Sequence, residues 1–334
     1  MKTDKIIKAV VLLSGGLDSA LAARLVLDQG IELLGINFTS PFYQCDRNGK
    51  CYAAGLARQI GIPLRVIPEG KEYLAVIRKP KFGYGAGMNP CIDCRIFMLK
   101  KAKNIARKFG AKFFVTGEVL GQRPMSQYLR ALKLIERESG LEGKILRPLS
   151  AKILPPTEAE KKGWVDREIL MAIEGRSRKV QLALAKERQI KDYSCPAGGC
   201  LLTMEQFAKK LRDLFRHKKA IGWDDIFLLK IGRHFRFGKN KVIVGRNQLE
   251  NQMIQEKKLE MDYIFEVPDC GSPFTLLQGP KTKKAVEMAA RITARYSDNK
   301  DKVVLVKYGR SRPAKKILVT PAEQSEIDRL NLTL

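Results

Sequence analysis

One hexapeptide constrains this chain more than any other part of it. Ser14-Gly15-Gly16-Leu17-Asp18-Ser19 follows a continuous apolar, β-branched run at residues 6–13 and precedes apolar residues at helical spacing over 20–29. A run of that kind suits a strand covered on both faces. Two glycines let the backbone turn sharply and approach a ligand closely. The helix that follows points its first N–H groups back at the turn, which makes an anion site. Ser14 and Ser19 add hydroxyl donors. Asp18 repels a bare phosphate, so it points to Mg²⁺ held between carboxylate and phosphate. The pattern lacks the Gly-Lys-Ser/Thr of a Walker loop and the GxGxxG of a dinucleotide fold. An ordinary strand–helix turn is the plainer alternative, and the strand–turn–helix context weighs against it.

Strand signals at 31–38, 64–67 and 112–116 alternate with helix signals at 53–60 and 97–109. That alternation predicts an α/β fold with a doubly wound parallel sheet. Residues 150–203 are mixed, with helices expected at 166–174 and 179–186. A basic helix at 204–217 reads as a connector. Beyond it the grammar changes to short strands at 226–231, 234–236, 241–244, 303–308 and 316–319, with helices at 247–257 and 282–295. The expected division is 1–203, a connector at 204–224, and a smaller α+β domain at 225–334. A chain of 334 residues has room for two or three domains.

Lys+Arg number 62 against 35 Asp+Glu, a net charge of +27. Residues 1–200 carry +16 and the rest +11, so a basic tail on a neutral enzyme is excluded. Such a chain needs a polyanionic partner, nucleic acid first and an anionic membrane surface second. No run of about 18 apolar residues predicts a membrane span. The N-terminal residues lack a cleavage signal, so a cytoplasmic location is expected.

Seven cysteines are present. Cys45, Cys51 and Cys270 read as small buried hydrophobes. Cys91 and Cys94 form a C-x-x-C, and Cys195 and Cys200 lie about 100 residues on. Chain-breaking residues precede each pair, so both are expected on exposed loops at the carboxyl edge of the sheet. Three chemistries compete for them. A structural Zn²⁺ would take four thiolates. A redox pair would have Cys91–Cys94 open a helix. An iron–sulfur cluster or a persulfide pair would deliver sulfur, and a basic nucleotide-using enzyme favours this third reading. His217 and His234 are the only histidines, too few for a histidine metal site, and read as RNA-facing or surface residues. Trp164 and Trp223 read as packing residues. The basic turn 175–179 is either solvated or in contact with RNA.

Ser14–Ser19 resembles the pyrophosphate loop of the PP-loop ATPases, which adenylate a carbonyl oxygen and release pyrophosphate. Asn89-Pro90-Cys91-Ile92-Asp93-Cys94-Arg95 resembles the N-P-D-x-x-C motif of the tRNA 2-thiouridylases, which implies a catalytic role for Cys94 beside Asp18. Cys91 stands where those enzymes carry Asp. That departure resembles the cluster-dependent tRNA thiolases, which hold a [4Fe–4S] cluster on three cysteines. The resemblance implies Cys91, Cys94 and Cys200 as ligands, with Cys200 also catalytic and Cys195 an additional candidate ligand. Thr116-Gly117-Glu118-Val119-Leu120-Gly121-Gln122 through Ser126-Gln127 resembles the TGExLGQ…SQ motif of the tRNA 4-thiouridine synthetases. It implies an ATP site lined by Leu13, Ser14, Gly15, Gly16, Asp18, Ser19, Asn37, Phe38, Arg95, Gly117 and Gln127. One extra residue separates Gln122 from Gln127 relative to that pattern.

In the second domain, basic and aromatic residues interleave from Arg233 to Lys241, as nucleic-acid surfaces require. Val244-Gly245-Arg246-Asn247 with Asn251, Ser272-Pro273-Phe274 and Ala294-Arg295-Tyr296-Ser297 resembles the NFACT-type RNA-binding domain. It implies RNA contacts by Arg233, Arg236, Lys239, Lys241, Arg246, Asn247 and Arg295. This domain would stand in for the RNA module that the 4-thiouridine synthetases carry before their PP-loop domain. Together the resemblances imply ATP-dependent thiolation of a tRNA uridine. Sulfide or a cysteine desulfurase-derived persulfide would be the donor, and a homodimer the assembly. Two alternatives remain: an RNA-binding protein with a structural Zn²⁺, and a PP-loop enzyme acting on a small molecule.

Overall fold

A computed structural model describes residues 6–43, 51–194 and 199–334. The chain divides into two compact units, Met1–Leu201 and Leu202–Leu334. Among the described residues, no helix is long and apolar enough to cross a membrane.

The first unit runs β1 (Lys8–Leu12), α1 (Leu17–Leu27), β2 (Glu32–Thr39), α2 (Tyr52–Ile60), β3 (Leu64–Pro68), α3 (Glu72–Arg78), α4 (Cys91–Phe109), β4 (Phe113–Thr116), α5 (Leu129–Ser139), β5 (Ile145–Leu146), α6 (Glu158–Lys161) and α7 (Lys179–Glu187). The strands form one sheet in the order β3-β2-β1-β4-β5, and every pairing is parallel. This is the expected doubly wound α/β sheet. Successive side chains of a strand face opposite ways, and β1 shows it. Ala9 and Val11 pack with α1 and α2, whereas Val10 and Leu12 pack with α4 and α5. The winding reverses between β1 and β4, which pair Leu12 with Thr116. At such a reversal the loops leaving the two strands diverge and open a crevice.

The second unit runs α8 (Glu205–His217), α9 (Trp223–Leu228), β6 (Arg233–Phe237), β7 (Asn240–Val244), α10 (Gln248–Glu256), β8 (Tyr263–Glu266), β9 (Thr275–Gln278), α11 (Lys283–Arg295), β10 (Val304–Gly309), β11 (Lys315–Val319) and α12 (Gln324–Leu330). Its sheet is antiparallel, in the order β11-β10-β8-β9-β7-β6. Helix α11 covers one face, and α9 and α10 pack on the other. The segment read as a connector, 204–224, forms α8 and the first residues of α9 inside this unit.

Three local expectations are corrected. Residues 226–231 were expected as a strand, yet α9 occupies Trp223–Leu228. Asp225 accepts the Gly222 N–H at 2.9 Å and starts that helix. Residues 166–174 hold only a single 3₁₀ turn, Arg167–Ile169. Helix α4 begins at Cys91, six residues before the expected start.

Candidate active site

The phosphate loop occupies the crevice between β1 and β4. Gly15 has φ +81°, and a Cβ there would lie 3.0 Å from the Ala53 nitrogen. Ser19 Oγ accepts from Ser14 N at 3.2 Å and donates to Gly16 O at 2.8 Å, which closes the loop on itself. No side chain caps α1, so its first-turn amides face the loop in the arrangement that binds anions. Gly117 leaves β4 against this turn. A Cβ on it would lie 2.4 Å from Ser19 N and 2.5 Å from Asp18 C, so no larger residue fits.

The remaining residues expected at the nucleotide site divide into two groups. Asn37 is buried and donates to Leu13 O at 2.8 Å, so it sets the strand end that launches the loop. Phe38 is buried in the apolar layer under α4. Gln127 is buried, with its Oε1 unpartnered. Arg95 pairs with Glu118 at 3.3 Å, and Glu118 is held in turn by Arg147 at 3.1 Å. Burial pushes the Glu118 carboxyl up, but Arg95 and Arg147 outweigh it and hold the carboxyl below its ordinary range.

Asp18 is engaged by residues the motif did not announce. Its Oδ2 accepts from Arg178 Nη2 at 3.1 Å and from Gln122 Nε2 at 3.2 Å. Its Oδ1 is buried without a partner. An orphaned carboxylate oxygen at the mouth of an anion loop fits Mg²⁺ bound with a nucleotide's phosphates.

Cys91 and Cys94 are one turn apart at the start of α4, not on a loop. A helix start is the setting in which a C-x-x-C redox pair is found. Asn89 Nδ2 lies 3.1 Å from Cys91 Sγ. Cys94 Sγ lies 3.1 Å from the Tyr73 hydroxyl and 3.4 Å from the Tyr43 hydroxyl. The Tyr43 hydroxyl donates to Glu69 Oε1 at 3.4 Å. Burial, then the Glu69 charge, push the Cys94 thiol up to about 11, and both phenols and Arg95 oppose the shift. Burial likewise pushes Glu69 up to about 7. No local pattern points to Tyr43, Tyr73 or Glu69, because each lies 20 or more residues from Cys94.

Glu69 supplies a pH prediction. Its folded-state pKa exceeds the unfolded value, so stability is complete below pH 4.5 and falls as pH rises through about 7. Glu69→Gln is therefore expected to leave stability unchanged at pH 4 and to raise it by up to about 3 kcal/mol at pH 8.5. Urea melts at the two pH values check this. An equal effect at both would refute it.

One segment joins the two halves of the site. Ser194 N donates to Gly15 O at 2.9 Å, and Ser194 bridges Gly16 in the phosphate loop. Six residues on, Cys200 bridges Tyr43, whose hydroxyl touches Cys94. Cys195 and Cys45 lie outside the described residues. Among the described residues, no group of three or more His, Cys, Asp or Glu is spaced to hold a metal ion. The three thiols of Cys91, Cys94 and Cys200 are the right donors for a cluster, but they are not gathered into a ligand set.

In the second unit the residues expected at RNA separate by exposure. Lys239, Arg246 and Arg295 are exposed, with Arg246 paired to Glu250 and Arg295 bonded to Gln324. The Arg233 guanidinium lies 4.5 Å over the Tyr296 ring. Asn247 caps α10, accepting from Glu250 N at 2.9 Å. Arg236 is turned inward onto Asp213. Lys241 is buried, which pushes its ammonium down to about 7. His234, expected at the surface, is 1% exposed and bonds Ile231 O at 2.8 Å.

Residues 6–152 match the family described as thiamine biosynthesis protein (ThiI). Residues 232–330 match the NFACT protein RNA binding domain. The chain joins a ThiI-like PP-loop segment to an NFACT-type domain. The ThiI-like segment is similar to a “Probable tRNA sulfurtransferase” of Thermococcus kodakarensis, 32% identical over 145 residues, which are 42% of this chain and 36% of that one. The chain thus spans about a third of the length of that relative. A 4-thiouridine synthetase–RNA complex with bound ATP matches 67% of this chain and 52% of its own, at 26% identity and a TM-score of 0.36. A U34-tRNA thiolase from Methanococcus maripaludis with its [4Fe–4S] cluster matches 67% of this chain and 70% of its own, at 18% identity and a TM-score of 0.32.

Proposed function

We propose that this protein thiolates a uridine in tRNA at the expense of ATP. The observation that carries the reading is a pair of bridges, Ser194 to Gly16 in the phosphate loop and Cys200 to Tyr43 beside Cys94. An activating site and a sulfur site bridged in this way suit a two-step reaction. A uridine carbonyl is a poor electrophile. Transfer of AMP to its oxygen releases pyrophosphate and creates a leaving group. A sulfur nucleophile then attacks the ring carbon, at position 2 or 4, and AMP departs. Asp18 and the loop amides hold the metal and the phosphates, Cys94 carries the outer sulfur where the donor is a persulfide, and the NFACT-type domain binds the tRNA through Arg233, Lys239, Arg246 and Arg295. With sulfide as donor the chemistry needs no redox step. With a persulfide on Cys94, Cys200 takes up the oxidation as a disulfide.

The finer form of this reading is a [4Fe–4S] cluster on Cys91, Cys94 and Cys200, and the chemistry of that donor set supports it. Such a cluster would supply an iron able to bind sulfide.

Incubation of the full chain with unmodified tRNA, ATP, Mg²⁺ and sulfide tests the function, with digested nucleosides read by mass spectrometry. Thiouridine that depends on ATP is expected, and its absence with either sulfide or a persulfide donor overturns the reading. Iron and sulfide analysis after anaerobic purification tests the finer form. About four of each per chain, lost in Cys200→Ala, are expected if the cluster is present. Stoichiometric zinc without iron removes it.

A further inference from the structure

Arg178 lies outside every motif of the phosphate loop. It comes from the basic turn at 175–179 and is the N-cap residue of α7, 160 residues beyond the aspartate it meets. Its Nη2 is 3.1 Å from Asp18 Oδ2. Each partner keeps one buried atom unsatisfied, Asp18 Oδ1 and Arg178 Nη1. Two other arginine–carboxylate pairs in the chain are bidentate. Arg236 binds both oxygens of Asp213, and Arg291 binds both oxygens of Glu326 at 2.8 and 2.6 Å. That geometry uses two parallel N–H donors and leaves neither carboxylate oxygen idle. The Asp18 pair instead leaves an anionic oxygen without a donor and a cationic N–H without an acceptor. A buried polar group left unpaired is costly, and such groups mark places where another species binds.

The complement of those two atoms is a ligand carrying a cation and an anion together, which describes a divalent metal bound to a phosphate. We propose that Arg178 is a phosphate ligand of the nucleotide, held by Asp18 until the metal–phosphate unit enters. The metal takes Asp18, and a phosphate oxygen takes the Arg178 guanidinium. Gln122, on the same Asp18 oxygen at 3.2 Å, keeps the carboxylate oriented as Arg178 turns to its new partner. The inference rests on the nucleotide reading of the loop and extends it to a residue outside the loop.

The arrangement makes two predictions of opposite sign. In the free protein Arg178 competes with metal for Asp18. Arg178→Ala should therefore bind Mn²⁺ alone several-fold more tightly, read by electron paramagnetic resonance. The same variant should bind inorganic pyrophosphate with Mg²⁺ about 10- to 100-fold more weakly by calorimetry, the value of one lost charge-assisted contact. AMP binding should not change. Arg178→Lys should recover part of the pyrophosphate affinity, since a point charge replaces the fork. A variant that merely loosens the crevice weakens both ligands, and that result overturns the proposal. Equal pyrophosphate binding by wild type and Arg178→Ala also overturns it while leaving the loop reading intact. If wild type binds neither pyrophosphate nor ATP, the nucleotide reading fails and takes this one with it. Arg178→Gln, with thermal melts of each variant, separates a folding defect from a lost contact.

Discussion

Glu118→Ala is expected to destabilise the first unit by about 3–5 kcal/mol, the usual cost of leaving buried charge uncompensated. The Glu118 side chain is 3% exposed, and three groups converge on it. Arg147 Nε lies at 3.1 Å, Arg95 Nε at 3.3 Å, and the Thr116 hydroxyl donates at 3.1 Å. Arg147 is itself only 5% exposed. Removing the carboxylate leaves two guanidinium groups without their shared counter-charge. Glu118→Gln keeps the shape and an acceptor but loses the charge, and should fall between wild type and alanine. The pH dependence has a definite sign. Because the arginines depress the Glu118 carboxyl in the fold, its stabilisation is present above about pH 4.5 and is lost as pH falls through the lowered value. Urea midpoints at pH 7 measure the effect, and an alanine variant within 1 kcal/mol of wild type would falsify this account of the cluster.

Cys94→Ser carries the largest expected effect on function. Serine retains a hydroxyl that Tyr43 and Tyr73 can still bond, so the start of α4 should survive. With a persulfide donor, the serine oxygen cannot carry the outer sulfur, so thiouridine formation should drop on the order of 10³-fold or more, as removal of a reacting group does elsewhere. In the proposed reaction, adenylation takes place at the phosphate loop and needs no thiol. ATP-dependent pyrophosphate release on tRNA should therefore persist in the variant. Cys270→Ser, in the second unit, should thiolate normally. A Cys94→Ser protein that still makes thiouridine at more than a tenth of the wild-type rate would move the sulfur chemistry to another residue.

Local signals determined much of this protein. The strand–glycine–helix pattern at Ser14–Ser19 named a phosphate loop because turn, hydroxyls and carboxylate all lie within six residues. The alternation of strand and helix signals through residue 116 named a parallel sheet, since burial on both faces leaves continuous apolar strands. The change to short strands after residue 225 announced a second unit of another class. Where the reading failed, a nearby competing interaction usually decided. Asp225 capped the segment that β propensity assigned to a strand. Pro90 sits at the N-cap of α4, so the proline read as a loop signal marks a helix start. Strands β8 and β9, four residues each, went unseen. They exist by pairing with each other and with β10 and β7, contacts that span ten residues or more.

The site itself needed the tertiary fold. Nothing near Asp18 indicates Arg178, and nothing near Cys94 indicates Tyr43, Tyr73 or Glu69. Those residues meet because parallel strands deliver their exit loops to one edge of the sheet. The loop after β2 brings Tyr43, the loop after β3 brings Glu69, and Ser194 and Cys200 bridge Gly16 and Tyr43. The same is true of charge. The sequence counts Arg236 and Lys241 as cations available to a polyanion, but the fold turns one onto Asp213 and buries the other. Residue types and short spacings set which chemistries the chain could perform. Convergence of distant segments, and the desolvation that comes with it, decided which side chains are placed to perform them.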